Sequence, residues 1–357
     1  MTAAPPLRSP APPPTGTPTT RTTRRLSALT ALTALAVMTA LALLAVGASL
    51  MFGSSRLSPG QVIDTLLHGG TSELHAIVYG VRIPRTVVGV IVGVCLGVAG
   101  ALMQGHTRNP LADPGIFGVS AGAGLAVVVG VYLLGVTSTS FDVLFALAGA
   151  LLASIAVFTI TAAGSGTASP LPLALAGTAV SALLEALTSF MVLSDRDALG
   201  AYRLWVVGSL SGRELATAYA VLPFAAAGLV LALLNTRALD NLSLGTEMAQ
   251  GLGQNIRTAR LTGLAAITLL TAAATAAAGP LGFVGLVVPH LARALVGSGH
   301  RYVVPASALL GIALVLSADV VGRLIGGVGE VGVGIVLAVI GGPFFVHVAR
   351  RRSLVAL

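Results

Sequence analysis

Long runs of apolar residues without a charged side chain recur along the chain and restrict it to one class of fold. Of its 357 residues, 55% are hydrophobic and only 9% are charged, whereas a soluble domain carries roughly 25% charged residues. A surface this poor in charge cannot face water, and one soluble core cannot bury so many helices that are apolar on all sides. The sequence therefore predicts an all-α, polytopic membrane protein.

Windows of about 20 apolar residues, the length that crosses a bilayer as a helix, occur ten times. The predicted spans are 27–51, 83–105, 115–136, 141–163, 171–193, 215–235, 259–278, 281–297, 302–325 and 331–349. Residues 1–25, rich in Pro, Thr and Ala, are interpreted as a disordered tail before one transmembrane domain, 26–357. The first apolar stretch exceeds the ~7–15-residue core of a cleaved signal peptide, so we expect it to be retained.

The distribution of arginine predicts the sidedness of the spans. All twenty basic residues are Arg, and with the tail inside, thirteen of them lie on cytoplasmic segments and seven on outer segments. Seven acidic residues fall on the outer segments instead. Because basic loops are retained in the cytoplasm, we expect both termini to lie there.

Several kinds of chemistry are excluded by composition. The sequence contains no Lys, and a Walker A loop needs a Lys on the nucleotide phosphates, so this chain cannot hydrolyse ATP by that route. Cys95 is the single cysteine, which excludes a disulfide framework and a Cys-based zinc site. We predict no catalytic residue, no metal site, no cofactor and no nucleic-acid partner for this chain.

A polar, proline-bounded corner interrupts the apolar pattern between the second and third spans. Pro110 and Pro114 forbid a continuous helix there, while Asn109 and Asp113 favour turns and caps. Asp113 followed by Pro114 predicts an N-cap and a restart of the helix. Irregular backbone near membrane depth is tolerated only where protein or water pairs it, so we expect the corner to line a path.

Three glycines recur at every fourth position of the second span, at Gly89, Gly93 and Gly97. A stripe of small residues lets two helices approach closely in a membrane. We interpret this stripe as a helix-packing face.

Five motifs in register resemble those of the FecCD-type permeases, the membrane subunits of ABC importers for ferric siderophores, haem and cobalamin. They are RIPRT at 82–86, GALMQGHTRNPLADPGIFGVSAG at 100–122, GPLGFVGLVVPHLAR at 279–293, SADVVGR at 317–323 and IGGPFFVHVARR at 340–351. The resemblance spans roughly residues 27–352. It implies a cobalamin-permease-like, type II ABC importer fold in a bacterial cytoplasmic membrane.

The resemblance also implies cargo and partners. The expected cargo is a ferric siderophore, with haem or cobalamin as alternatives. The expected assembly pairs this chain with a second copy or a paralogous permease in membrane lipid. Two cytoplasmic ATPase subunits hold the ATP and Mg, and an extracytoplasmic substrate-binding protein delivers the cargo.

An arginine group on the outer face is the docking site that the resemblance implies for the acidic binding protein. In this sequence the group is Arg82, Arg85 and Arg323. Arg forms bidentate pairs with carboxylates, which suits such a partner. The alternative is internal pairing with an acid of the same chain, namely Asp64, Glu73 or Asp319.

The inner gate of the family resembles the polar corner together with the turn before the fifth span. The corresponding residues are Asn109, Pro110 and Leu111 in the corner and Thr167 and Ser169 in the turn. We expect these segments to close the inner mouth between transport cycles.

The polar segment 237–258 resembles the coupling loop of importer permeases. The motif positions are Glu247, Ala249 and Gly253, with Asp240 and Asn241 able to cap a short helix. Such a knob can sit in a cleft of the ATPase and pass its motion to the spans. A plain connector is the alternative.

Two other classes of function remain open from the residues themselves. An ion-coupled secondary transporter needs acids within the membrane, and Glu185 is the one carboxylate predicted deep in a span. A receptor or scaffold without transport is the second alternative.

Overall fold

The computed structural model describes residues 28–53, 57–69, 71–135, 138–165, 170–326 and 329–350, and its regular secondary structure there is entirely helical. The predicted tail, 1–25, lies outside this part of the chain. The helices are α1 (Ala28–Met51), α2 (Pro59–His68), α3 (Ser72–Ile77), α4 (Ile83–Thr107), α5 (Val119–Leu134), α6 (Thr139–Ser165), α7 (Pro170–Ser194), α8 (Arg196–Val206), α9 (Leu215–Ser243), α10 (Thr246–Gly251), α11 (Ile256–Ala278), α12 (Val284–Val296), α13 (His300–Ile325) and α14 (Val333–Arg350). A π-helical turn, Val78–Arg82, joins α3 to α4, and a 3₁₀ turn, Pro114–Phe117, precedes α5.

Each of the ten predicted spans corresponds to an apolar helix, which confirms the fold class. Within the described residues, however, eight helical segments are long enough to cross a membrane, and α5 and α12 are shorter, with 16 and 13 residues. At 1.5 Å per residue these two extend roughly 24 and 20 Å, less than the ~30 Å hydrocarbon core. Both begin late because left-handed backbone precedes them, at Gly118 (φ 72°) and Phe283 (φ 68°).

Polar contacts divide the bundle into two ends. At the arginine end, α1 finishes, α4 begins and α13 finishes, and Arg82, Arg85 and Arg323 lie together there. At the opposite end, which we call the corner end, α4 and α9 finish and α11 and α13 begin. The arginine distribution predicted that the segments after α4 and α9 and before α11 and α13 lie on one side of the membrane, and the structure places these segments at one end.

Helix α4 forms the centre of the bundle and packs against α9, α11, α12 and α13. Its glycines allow α13 to approach to backbone contact. A Cβ added at Gly93 would lie 2.6 Å from the carbonyl oxygen of Gly311, and one added at Gly97 would overlap the carbonyl oxygen of Ser307. The predicted packing role of the glycine stripe is confirmed.

Replacement of Gly93 by Val should therefore destabilise the protein. The added side chain meets the rigid backbone of α13 and forces the two helices apart, which costs about 1–3 kcal/mol or more. We expect a lower thermal unfolding midpoint in detergent for Gly93→Val. Gly47→Val in α1 is the control, because no atom lies within 4 Å of a Cβ built there. An equal loss in both variants would contradict the close-packing account.

Candidate functional site

The three arginines predicted to dock a partner converge at the arginine end, but they are buried. Arg82 comes from the π-helical turn, Arg85 from the first turn of α4 and Arg323 from the last turn of α13. They are 3%, 5% and 4% exposed. The structure therefore brings the three residues together as the resemblance implies, beneath the surface of a single chain.

Asp319 is the centre of this cluster. Its carboxylate, 1% exposed, accepts hydrogen bonds from Nε and Nη2 of Arg85 at 3.0 and 2.8 Å and lies 2.9 Å from Nη2 of Arg323. Arg85 also donates through Nη1 to Glu330 at 2.7 Å. Internal pairing with Asp319, the alternative to docking, is what the structure shows for Arg85 and Arg323.

The same cluster holds the end of α1. Arg323 donates through Nη1 to the carbonyl oxygens of Ser49 and Phe52 at 3.1 and 2.7 Å, and Arg82 donates to that of Leu50 at 2.5 Å. The last carbonyl groups of a helix have no partner within it. The two guanidinium groups therefore satisfy the end of α1 and fix it to the centre of the bundle.

Three arginines and two acids leave the arginine cluster with an excess of one positive charge. The Glu330 side chain is 27% exposed, and it is the part of the cluster closest to solvent. Burial alone would raise the pKa of Glu330, but the hydrogen bond and charge of Arg85 outweigh burial and lower this pKa. Glu330 is thus held ionised at neutral pH.

At the corner end, the chain leaves α4 through Arg108 in left-handed backbone (φ 49°). The Oδ1 of Asn109 accepts from the backbone N–H of Leu111 at 3.0 Å, which closes a compact turn. Arg108 donates through Nη2 to the carbonyl oxygen of Leu242 at the end of α9. The predicted gate residues of the corner therefore lie in a turn that is bonded to α9.

The predicted N-cap at Asp113 is confirmed. Its Oδ1 accepts from the backbone N–H of Gly115 at 2.8 Å, with Pro114 at the first helical position. Enclosure raises the pKa of Asp113, and the bond from Gly115 offsets this only in part. A Cβ on Gly285 would lie 2.6 Å from Cδ of Pro114, so the corner packs against the first turn of α12. Two breaks in helical structure thus meet inside the bundle.

The predicted coupling segment forms a short helix, α10, on a small apolar base. Glu247 is exposed in its first turn, Ala249 is fully buried beneath it, and Gly253 follows it in left-handed backbone (φ 79°). Ala249 packs with Leu242 of α9 and with its other apolar neighbours. The predicted short helix near a glycine is present.

The predicted capping of this helix by Asp240 and Asn241 is wrong. Helix α9 continues to Ser243, so both residues lie inside it, and Gly245 (φ 114°) precedes α10 instead. Asp240 accepts from the backbone N–H and from Nδ1 of His300, both at 2.8 Å. It therefore caps the start of α13 and joins α13 to the end of α9.

Sequence reasoning missed a buried polar contact between α4 and α12. Gln104 is fully buried, donates to the carbonyl oxygens of Gly285 and Leu286 at 3.1 and 3.2 Å, and accepts from Nη1 of Arg293. A polar Gln in a stripe of small residues is the one sequence signal that points to it. This contact fixes α12 beside the corner.

Three predicted positions remain, namely Thr167, Ser169 and Glu185. Thr167 and Ser169 lie outside the described residues, so their gate role stays a prediction. Glu185 is exposed on α7. No group of three or more metal-ligating side chains occurs in the described part of the chain.

Comparisons with known proteins agree on one family. The model of the FecCD transport family matches residues 31–351. The ferric enterobactin transport system permease protein FepD of Escherichia coli (strain K12) is 44% identical over 310 residues, covering 87% of this chain and 92% of that protein. The cobalamin import system permease protein BtuC of Halobacterium salinarum (strain ATCC 700922 / JCM 11081 / NRC-1) is 40% identical over 298 residues, covering 82% of this chain and 78% of that protein. A solved structure of an inward-facing ABC transporter, assigned to the metal-chelate type, matches with a TM-score of 0.76 and 26% identity, covering 90% of this chain and 99% of that one.

Replacement of Asp319 by Asn should strongly destabilise the arginine end. It leaves Arg85 and Arg323 buried beside each other without their shared carboxylate, and breaking a buried ion pair costs about 3–5 kcal/mol. We expect a large drop in the thermal unfolding midpoint. Asp64→Asn, at an exposed pair with His68, is the control and should change stability by less than about 0.5 kcal/mol. A stable Asp319→Asn protein would contradict the role given to this carboxylate.

Proposed function

This chain belongs to the FecCD transport family of ABC importer permeases, and we propose that its cargo is a ferric siderophore. The observation that carries the proposal is the 44% identity to a ferric enterobactin permease over 87% of this chain. Haem or cobalamin is the alternative cargo, because a cobalamin permease is 40% identical. The chain itself makes and breaks no bonds, and the energy comes from ATP and Mg on separate ATPase subunits.

We propose that the corner end faces the cytoplasm of a bacterium. Five arginines that lie near this end form no ion pair with a carboxylate in the described residues: Arg108, Arg237, Arg257, Arg260 and Arg301. At the arginine end, Arg85 and Arg323 are neutralised by acids. Because basic segments are retained inside, the thirteen arginines on the segments of the corner side, against seven on the other side, support a cytoplasmic corner end, with both termini cytoplasmic.

The ATPase subunits are proposed to bind α10. Three apolar residues on or directly beside this short helix are exposed to more than half of their area: Met248 on α10, Leu244 before it and Leu252 after it. Exposed apolar side chains beside a charged one are typical of a protein interface. Ala249 packs α10 against α9 and α11, so a displacement of α10 is transmitted directly to both helices.

The polar corner is proposed to act as the inner gate. Arg108 links it to the last turn of α9, which leads into α10. A displacement of α10 can therefore be transmitted through the end of α9 and the hydrogen bond of Arg108 to Asn109, Pro110 and Leu111. The turn with Thr167 and Ser169 is proposed as the facing half of the gate, since α7, which begins beside it, contacts the 3₁₀ turn of the corner.

The substrate-binding protein is proposed to dock at the arginine end. The excess positive charge of the arginine cluster suits an acidic partner, and Glu330 is the exposed member of this cluster. A carboxylate of the binding protein can replace Glu330 on Arg85 without exposing Asp319. On docking, the carboxylate of the binding protein and Glu330 compete for the guanidinium of Arg85. The positive charges of Arg82 and Arg323 attract the incoming carboxylate.

A second copy, or a paralogous permease, is proposed to pack along α7. Only 17% of the apolar window in this helix is buried within the chain, and exposed Leu183, Leu187 and Phe190 lie along it.

Ion-coupled transport finds less support. Asp319 is held between two arginines and cannot take up an ion freely, which leaves Glu185 as the acid exposed on a span.

Charge reversal at Glu247 should uncouple ATP hydrolysis from uptake. Glu247→Arg changes the exposed tip of α10 while Ala249 and the fold beneath it stay in place. We expect uptake to fall by about tenfold, the effect of one lost charge-assisted contact, with unchanged unfolding. Glu73→Arg at the other end is the control. Full uptake by Glu247→Arg would refute the coupling role.

The cargo is tested by uptake into proteoliposomes that contain the permease, its ATPase and its binding protein. We expect ATP-dependent accumulation of a ⁵⁵Fe-siderophore and none when the ATPase is omitted. Haem and labelled cobalamin are the matched alternatives. Accumulation of either of these but not of the siderophore would replace the proposed cargo, and uptake without the ATPase would contradict ABC import.

A further inference from the structure

A small basic cavity opens at the corner end, between α4, the end of α9, α10 and the first turns of α11. It has a volume of about 170 Å³, far above the ~10–15 Å³ that one water requires. The lining residues are His106, Thr107, Arg108, Leu242, Thr246 and Arg260. We propose that this cavity binds a phosphate group, either of an anionic phospholipid or of free phosphate.

The charge of the cavity is entirely positive. Arg108 and Arg260 line it, and none of its lining residues is acidic. Neither arginine has an ion pair with a carboxylate in the described residues. Asp240, a nearby acid, is occupied by His300. Two guanidinium groups facing one cavity repel each other unless an anion lies between them, and their planar forks match phosphate oxygens.

The neutral side chains of the cavity suit the same ligand. The Nδ2 of Asn235 donates to the carbonyl oxygen of Ala259 at 2.7 Å and lies 2.6 Å from the Oγ1 of Thr262, which leaves its Oδ1 to accept from Nε2 of His106 at 3.0 Å. The Nδ1 of His106 is then an acceptor, and it is buried without a partner in the described residues. The O–H of free monohydrogen phosphate can donate to such a nitrogen, and for a phospholipid, whose phosphodiester carries no proton, a headgroup hydroxyl can do the same. Thr246 adds a hydroxyl group, whereas that of Thr107 donates to the carbonyl oxygen of Met103 at 2.8 Å.

The position of the cavity points to a phospholipid as one source. Leu244 and Leu261, which lie close in the chain to the lining residues Leu242 and Arg260, are exposed, and basic pockets between helix ends at the cytoplasmic face bind anionic headgroups. This choice of leaflet rests on the orientation proposed above, whereas the binding of phosphate does not. A bound phosphate would connect Arg108 of the corner to Arg260 of α11, and so hold the gate against the base of α10.

The test uses the purified full-length chain without its ATPase, so that its outcome does not depend on transport. In lipid-free detergent, the unfolding midpoint is followed against inorganic phosphate at constant ionic strength, with chloride as the reference. In nanodiscs, phosphatidylcholine alone is compared with phosphatidylcholine plus phosphatidylglycerol. Arg260→Gln is the test variant, and Arg257→Gln, which removes an exposed charge from the same helix, is the matched control.

We expect stabilisation by phosphate that saturates, with an affinity at least about tenfold weaker in Arg260→Gln and unchanged in Arg257→Gln. Arg260→Lys, which keeps the charge, should recover part of the affinity and shows that a loss is not misfolding. Saturation by phosphate alone identifies a free anion, and stabilisation by phosphatidylglycerol identifies a lipid headgroup. No saturable effect of either, or an equal loss in Arg257→Gln, would overturn the proposal.

Discussion

The hydrocarbon core allows this chain to pair its backbone only within helices, and this constraint determines where its polar chemistry can lie. Side chains that bind, gate or couple are confined to helix ends and to breaks between helices. The arginine cluster, the corner and α10 all occupy such positions. At the break between α4 and the 3₁₀ turn, Pro114 packs against the start of α12, so irregular backbone lies against protein rather than lipid.

Helix α4 connects the two polar ends. It begins at the ion pairs of Arg85 and ends at Arg108, which bonds to α9. Between these points, glycines hold it in backbone contact with α13. Two helices in contact along their backbones cannot rotate past each other without repacking. A displacement that α9 passes to Arg108 can therefore reach the arginine end through α4 and α13.

Sequence periodicity predicted every apolar helix, because each run of about 20 uncharged residues has one stable conformation in a bilayer. It did not predict that α5 and α12 are short, since their start depends on the backbone conformations of Gly118 and Phe283. Motif spacing found Glu247 and the arginines, and it offered Asp319 only as one of three acids that could pair with those arginines. Asp319 and Asp240 acquire their roles from helices far away in the chain, and no local pattern encodes the bonds to Arg85 or His300.

The central claim, that the corner end and α10 face the ATPase in the cytoplasm, is tested most directly by the sidedness of single cysteines. Cys95 is buried and is replaced by Ala, and Gln250→Cys on exposed α10 is compared with Glu73→Cys on exposed α3. A membrane-impermeant maleimide is applied to intact cells and to inside-out vesicles. The account predicts that Gln250→Cys reacts only in inside-out vesicles and Glu73→Cys only in intact cells. The reverse pattern would contradict it.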